Sequence, residues 1–588
     1  MKKENKRKLF TGFKGVSKAE WTQKVEKDLK GKPFEKLNWR TYEGFEVPPF
    51  FTRKDINTKA GINSLPGELP FRRGNAMNML NGTWQMVQEI SVDNSKEAVA
   101  RMSEARKSDI HAFKLYSWQG GAKGKDFLPV VREMDLSQEA LHLYASYEPL
   151  KLVDGINRIL DIQGTDRSKL TGTMTSLAID TGRVSREAVL KLMDGSPHFR
   201  CLGIDLSMVD ENGGSQVHQL AFALSRTVDW VCQTPVDPQR IFQALNFTFP
   251  VGSDFMMEVA KLRAFRILFA YVAEKLGGKG AALSPFVLAQ SARWNKSRYD
   301  VHTNLLRTTT EAMSAVMGGA HAVSISAFDK LMGPESAFSA RMARNIQHLL
   351  KHESYLDQVA DPAGGSYYVE QLTNSLVEQA WKCFQEIEDQ GGYEACLLSG
   401  SIDQMLVDSQ LKKQTDIASR KRVFVGINNY PNTEEELSAR LNPDEMGDEG
   451  PALFEKIRLK TDRWAQQNEK RPSAFLLTFG DIRMRNARMQ FARNLLGCAG
   501  FLIETNNPGA ELDVSLAAMK SSEPEVVILC AADKDYNSKM LSNVRKALPQ
   551  ATVVVAGKPE KELKVDGQIY AGMDAINFLE DLFEKVTA

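Results

Sequence analysis

Histidine is scarce in this chain and unevenly placed. All eight lie between His111 and His352, and the 236 residues that follow contain none. A domain built from that C-terminal stretch cannot offer imidazole to a metal, whatever its fold. Cysteine is sparse too. Cys201, Cys232, Cys383, Cys396, Cys498 and Cys530 form no Cys-x-x-Cys pair, which argues against zinc, iron–sulfur and dithiol motifs. Several sit inside apolar runs, where a free thiol behaves as a small buried hydrophobe, and a reducing, cytoplasmic setting is expected. No apolar stretch reaches about 18 residues, so no membrane span is expected. With 75 basic and 74 acidic residues, no global field favours nucleic acid or an anionic membrane. The run Lys2, Lys3, Lys6, Arg7, Lys8 is interrupted by Glu4 and followed by no apolar core, so it reads as a frayed terminus and not as a secretory signal.

What is present points to several domains, since 588 residues exceed one ordinary core. Residues 17–30 pattern as an amphipathic helix. Ser17 and Glu20 form a capping box, and Trp21, Val25 and Leu29 share a face that one short helix cannot bury alone. The prolines of 47–51 and 65–70 then suggest an extended strap. From about residue 90 to 395 apolar runs alternate with helical patterns. Strands are expected at 112–118, 141–147, 199–208, 229–233, 286–291 and 322–327, and helices at 255–274, 304–317 and 336–352. Repeated β-then-α over this length fits a (β/α)8 TIM barrel, although periodicity alone does not separate it from an open doubly wound sheet. Residues 396–471 are polar, with helical segments, a cluster at Arg420-Lys421-Arg422 and an acidic stretch at 442–450, and read as a linker region. From Pro472, strands at 474–479, 500–503, 526–531, 552–556 and 568–570 alternate with helices at 483–496, 514–520, 537–548 and 575–585. Five strands and four helices match a flavodoxin-like (Rossmann-like) sheet, which takes ligands at its strand C-termini.

Most local motifs have ordinary explanations. Gly120-Gly121-Ala122-Lys123-Gly124-Lys125-Asp126 has the wrong glycine spacing for a phosphate loop and carries Asp where Ser or Thr would hold magnesium. Leu276-Gly277-Gly278-Lys279-Gly280 follows a helix and reads as its ending. His348 and His352 have zinc-like spacing, but Leu349 stands where a catalytic glutamate belongs. Met77, Met79 and Met86 read as core filling. Asp205, Asp210 and Glu211 follow a predicted strand, where barrel enzymes place catalytic groups; a surface loop explains them equally well.

Longer motifs run in order from about residue 20 to the end. Ser339-Ala340-Arg341-Met342-Ala343-Arg344-Asn345 is followed by Asp361-Pro362-Ala363-Gly364-Gly365-Ser366-Tyr367-Tyr368-Val369-Glu370. Pro66-Gly67-Glu68-Leu69-Pro70-Phe71-Arg72-Arg73-Gly74, residues 257–263, Asn304-Leu305-Leu306-Arg307-Thr308 and Val425-Gly426-Ile427-Asn428-Asn429-Tyr430 also belong to this series. Together these motifs resemble the methylmalonyl-CoA mutase family, and the resemblance implies an N-terminal barrel threaded by a CoA thioester and a C-terminal cobalamin-binding-type domain. Adenosylcobalamin there starts the radical interchange of methylmalonyl-CoA and succinyl-CoA. It implies the domains 1–35 (docking arm), 36–395 (barrel with its strap), 396–471 (linker region) and 472–588 (degenerate cobalamin-binding-like domain).

The sequence departs from the family where chemistry is expected. The Asp-x-His-x-x-Gly loop reads Gly480-Asp481-Ile482-Arg483-Met484-Arg485. The tyrosine and the histidine that meets the thioester carbonyl become Ser207 and Met208, and a thioether cannot donate that hydrogen bond. Two tyrosine positions read Ala76 and Leu80. A later arginine and tyrosine, in Trp84-Gln85-Met86-Val87-Gln88-Glu89, become Val87 and Glu89. No arginine for the substrate carboxylate is placed between 150 and 200. Ser-Ser-Leu at the nucleotide tail becomes Cys530-Ala531-Ala532, and a later Gly-Gly becomes Ala556-Gly557.

A bacterial form of the enzyme pairs a catalytic large subunit with a related, degenerate small one, and these losses resemble the small one. The resemblance therefore implies a heterodimer whose large subunit carries adenosylcobalamin. In this chain no catalytic, cofactor-binding or metal-binding residue is expected, and no nucleic acid or membrane partner. Two alternatives remain open at this point: a self-sufficient mutase that binds cobalamin without a protein histidine, and a CoA-thioester-sensing regulatory module.

Overall fold

The computed structural model describes residues 12, 14–56, 63–74, 84–118, 122–145, 147–437, 441–443, 446–447, 449–507, 511–559 and 563–587. The basic run 2–8, Ala76, Leu80, Met77, Met79, Gly120, Gly121 and parts of 442–450 lie outside the described residues.

The expected N-terminal helix is present as Lys18–Asp28, with Ser17 and Glu20 in the reciprocal capping box. Its apolar face rests against the chain's own strap without being buried, and Trp21 stays 41% exposed. Trp21 meets Phe50 at 4.3 Å and Phe34 at 5.9 Å between ring centroids, and Lys18 pairs with Asp55 at 2.9 Å. A two-stranded antiparallel ribbon, β1 (Trp39–Arg40) and β2 (Glu46–Val47), follows.

The central architecture is a parallel barrel. Its strands are β3 (Gln85–Ser91), β4 (Ala112–Tyr116), β5 (Ala140–Tyr144), β6 (Gly172–Thr175), β7 (Phe199–Arg200), β8 (Leu202–Asp205), β9 (Leu245–Val251), β10 (Phe286–Ser291) and β11 (Ala322–Ser324). The hydrogen-bonded order is β7-β6-β5-β4-β3-β11-β10-β9-β8. The end segments β7 and β8 are successive halves of one run interrupted at Cys201, so the sheet returns on itself as an eight-stranded TIM barrel.

Three strands escaped the sequence reading, β3, β6 and β9, because their inward positions are polar: Gln85 and Glu89, Thr173 and Thr175, Asn246 and Thr248. All of β6 and β9 is buried, yet neither is a continuous apolar run. The 229–233 expectation fails for the opposite reason. These residues end the buried helix Gln216–Gln233, and a short apolar run does not by itself tell strand from buried helix. The 207–208 end of another expected strand begins the short helix Ser207–Glu211.

After the barrel, residues 396–471 carry the helices Ser401–Ala418 and Ala452–Asn468 and join the other two parts of the fold. Ser409 and Lys413 donate to the carbonyls of Gly213 and Gly214 beside the barrel mouth, at 2.7 and 2.9 Å. Glu455 accepts from the backbone of Tyr299, whose hydroxyl donates to Asp462 at 2.5 Å. One hydrophobic cluster then runs from Trp294 and Tyr299 through Phe424 and Leu459 to Leu476 and Leu495 of the last sheet.

That last sheet contains β12 (Ser473–Thr478), β13 (Leu502–Thr505), β14 (Val526–Cys530), β15 (Thr552–Ala556) and β16 (Gly567–Ile569). All are parallel, in the order β13-β12-β14-β15-β16. This is the flavodoxin-like order, with its switch point beside β12. Among the described residues, no helix is long and apolar enough to cross a membrane.

Candidate functional site

The side chains inside a parallel barrel alternate along each strand, and register decides which of them meet. Val87, Ala112, Ala140, Phe286, Leu288 and Ala322 form a small apolar layer. Two residues further along, Glu89 stands in register beside Lys114. The two pair at 3.4 Å, Lys330 joins Glu89 at 3.0 Å, and Ser324 donates to it at 3.1 Å. Lys114 also reaches Gln290, Gln290 donates to Ser207, and Ser207 donates to Asp205 at 2.6 Å. A continuous polar chain thus crosses the interior from β3 to β8. Burial opposes the charge on Glu89, but Lys330 and Lys114 outweigh it and hold the carboxyl at about 2.

Above this chain lies a cavity of about 470 Å³ at the C-terminal mouth of the barrel. Met208 lines it on the short helix after β8, with 57% of its surface exposed. Asp205 and Glu211 line it as well, whereas Asp210 faces a separate small cavity beside Lys413, so the three carboxylates do not converge. Burial raises the Glu211 carboxyl to about 7, against the pull of Arg293 at 4.0 Å. The Glu89–Lys114–Lys330 cluster was missed by the sequence reading. Its signal was a lysine on the inward register of the run Ala112-Phe113-Lys114-Leu115-Tyr116, opposite a glutamate already noted as unusual.

No histidine reaches this mouth. His142 is buried between Thr173 and Gln85, with Nδ1 2.9 Å from Thr173 Oγ1 and Nε2 3.1 Å from Gln85 Oε1. His142 and His321 each stack on the Phe286 ring, at 6.4 and 4.9 Å between centroids, and desolvation lowers each imidazole to about 3, so both stay neutral. His348 bonds the carbonyl of Ser108 at 2.8 Å and stacks on His352. Among the described residues no group of three or more metal-ligating side chains occurs.

At the second candidate site, the C-terminal edge of the last sheet, side chains bridge the crevice. Asp481 caps the helix Ile482–Cys498 through the N–H of Met484 at 2.9 Å. Its own N–H donates to Asp535 in the loop after β14 at 3.3 Å, and Asp535 also lies directly against Gly480. The two loops flanking the switch point therefore touch. Further along the edge, Arg488 pairs with Asp533 at 3.2 Å, with Gly557 wedged against both. The Tyr536 hydroxyl accepts from Ala531 N at 2.9 Å and donates to Ala556 O at 2.6 Å, tying the tips of β14 and β15. Cys530, Ala531 and Ala532 are fully packed. The glycine-rich segment after residue 121 opens the helix Gly124–Val131, and Gly277 ends the helix Phe255–Lys275 at φ +92°, so both loops serve helix termini.

The recurring motifs have a different role. Arg72, fully buried, donates to Glu370 at 2.7 Å and to Asn374 at 2.9 Å. Arg263 donates to Glu370 at 2.8 Å and to Asp361 at 3.0 Å, and Arg73 reaches Asp361 at 3.1 Å. Arg266 holds the carbonyls of Phe71 and Gly318. The strap, the long barrel helix and the Asp361–Glu370 segment are thereby clasped in one network away from either cavity.

Comparison with known proteins places these observations in a family. The model of methylmalonyl-CoA mutase matches residues 40–109 and 182–471. A methylmalonyl-CoA mutase small subunit of Porphyromonas gingivalis is 32% identical over 95% of this chain and 94% of its own length. One from Streptomyces virginiae is 28% identical over 98% of each chain. A methylmalonyl-CoA mutase of Rhizobium meliloti is 29% identical over 70% of this chain and 63% of its own length.

Proposed function

We propose, from the premise that this chain belongs to the methylmalonyl-CoA mutase family, that it is the non-catalytic small subunit of a heterodimeric enzyme interconverting methylmalonyl-CoA and succinyl-CoA. The large subunit carries adenosylcobalamin and performs the chemistry; this chain holds neither catalytic nor cofactor-binding residues and works in the cytoplasm. The observation that carries the proposal is that both candidate sites are altered together while the buried clasp of Arg72, Arg263, Asp361 and Glu370 is intact.

At the barrel mouth, Met208 stands where the resemblance places a carbonyl donor, and a thioether cannot supply one. Loss of such a donor typically costs a few kcal/mol of transition-state stabilisation. Below it, the Glu89-to-Asp205 chain fills the interior with the protein's own charges. At the last sheet, Arg483 stands where the resemblance places an imidazole, and Asp535 ties together the two loops that flank the switch point. These residues do not fit cobalamin.

Co-purification tests the proposal. A tagged chain expressed from its native context is expected to retain a larger, related subunit that has an intact Asp-x-His-x-x-Gly loop. Recovery of this chain alone, with stoichiometric cobalamin bound, would contradict it and favour a self-sufficient mutase.

A further inference from the structure

The turn of the β1–β2 ribbon enters the junction between the barrel mouth and the linker region. The Tyr42 hydroxyl donates to Asp416 at 2.9 Å, and Glu43 beside it is 6% exposed. The nearest linker cations are engaged elsewhere: Lys421 with Asp416 at 3.0 Å, and Arg422 with Asp254 at 3.7 Å. Among the described residues Glu43 makes no ion pair. Lys413, 5% exposed, makes none either; its ammonium lies 4.8 Å from the Trp294 ring and donates to Gly214 O at 2.9 Å. Asp254 of the barrel and Lys413 and Arg422 of the linker act on the Glu43 charge, while Asp210 and Glu43 act on that of Lys413. Two buried groups of opposite charge thus share one junction unpaired, which is a costly arrangement while both are ionised. A cavity of about 20 Å³ bordered by Tyr42, Asp210, Trp294 and Lys413 leaves the ammonium room to turn.

What Lys413 holds is close to the mouth. Gly213, at φ +80°, and Gly214 press on the linker helix so tightly that an added Cβ would lie 2.6 Å from Gln410 and 2.8 Å from Leu406, respectively. This turn directly follows the helix Ser207–Glu211, which presents Met208 and Glu211 to the mouth cavity.

We propose that Glu43 and Lys413 form a proton-operated latch between the ribbon and the barrel mouth. With Glu43 protonated, Lys413 holds Gly214; when Glu43 gives its proton to solvent, Lys413 turns to the carboxylate and frees that carbonyl. Burial, reinforced by Asp254, raises the Glu43 carboxyl to about 7 against the pull of Lys413 and Arg422. The latched state therefore keeps the proton below that pH and is lost as pH rises through it. The latch does not depend on the small-subunit assignment.

Hydrogen exchange read by mass spectrometry on the full chain, alone and with its co-purified partner, tests this. Rates are corrected for the intrinsic pH dependence of exchange, and peptides covering residues 207–216 are followed. In the parent, protection there is expected to fall about ten-fold between about pH 6 and about pH 8, as a carboxyl at about 7 when latched and about 4.5 when released requires. Glu43→Gln, whose amide mimics the neutral form at every pH, is expected to keep the low-pH protection throughout. Lys413→Met, which removes the arm, is expected to show low protection at both pH values. Unchanged protection in the parent would overturn the latch. So would a fall that persists in Glu43→Gln, since Glu211 at the mouth titrates in the same range and is untouched by that variant. If Lys413→Met fails to fold, the comparison of the parent with Glu43→Gln decides.

Discussion

Glu370→Gln perturbs the clasp at its centre. Glu370 is fully buried and receives Arg72 at 2.7 Å and Arg263 at 2.8 Å, with Arg73 3.7 Å away. Burial works against its charge, but Arg263 and Arg72 outweigh burial and hold the carboxyl below its ordinary range. Replacing the carboxylate by an amide removes the anion that the fully buried Arg72 and Arg263 share, and leaves Asp361 beside Arg263. Breaking a buried pair in this way costs about 3–5 kcal/mol. At roughly 2 °C per kcal/mol for a large domain, the barrel transition should fall by about 6–10 °C. Differential scanning calorimetry of the full chain reads this directly, with Asp28→Asn as the control. That control breaks an exposed helix pair with Lys24 and should move the transition by under about 0.5 kcal/mol. A third variant, Arg72→Met with Glu370→Leu, removes charges of both signs and should recover part of the loss. A shift for Glu370→Gln no larger than that of the control would refute the clasp.

Three further outcomes are expected. Glu43 is buried, and desolvation, reinforced by Asp254, raises its carboxyl to about 7. Its folded form therefore binds a proton more tightly than its unfolded form. The associated stability is fully present below about pH 4.5 and is lost as pH rises through about 7, roughly 3 kcal/mol in all. Denaturant titrations of Glu43→Gln across pH 5–8 should show that slope flattened. Arg483→His restores an imidazole but leaves the Asp535 bridge, so spectroscopic titration should detect no stoichiometric cobalamin binding. Met208→His, at a half-exposed position, should change stability by less than about 0.5 kcal/mol. It should also confer no mutase turnover, because the polar chain below it is untouched.

The sequence exposed some of this architecture and concealed the rest for physical reasons. Strand β10 and the helices near 255–275 and 337–352 were visible because their apolar residues recur at strand or helix periods over long enough stretches. All five strands of the last sheet were visible too, since they are short apolar runs between clear helices. Barrel strands β3, β6 and β9 were hidden because they turn Gln, Glu, Thr and Asn inward, which a search for apolar runs discards. The substitutions at Met208 and Arg483 could be read residue by residue. Their surroundings could not. That Glu89 meets Lys114 depends on strand register, that Lys330 joins them depends on a loop more than two hundred residues away, and that Asp535 meets Gly480 depends on two loops folding over one sheet edge. The clasp shows the same limit: its four arginines and two carboxylates stand in separate motifs, and only packing makes them a single network.

The central claim is that this chain supports the chemistry of a partner and performs none itself. Turnover of methylmalonyl-CoA by the purified chain, supplied with adenosylcobalamin and measured with and without the large subunit, tests that most directly. The expected result is no succinyl-CoA above background from the chain alone, and robust turnover once the large subunit is present. Formation of succinyl-CoA by the chain alone at a rate comparable to the complex would contradict it.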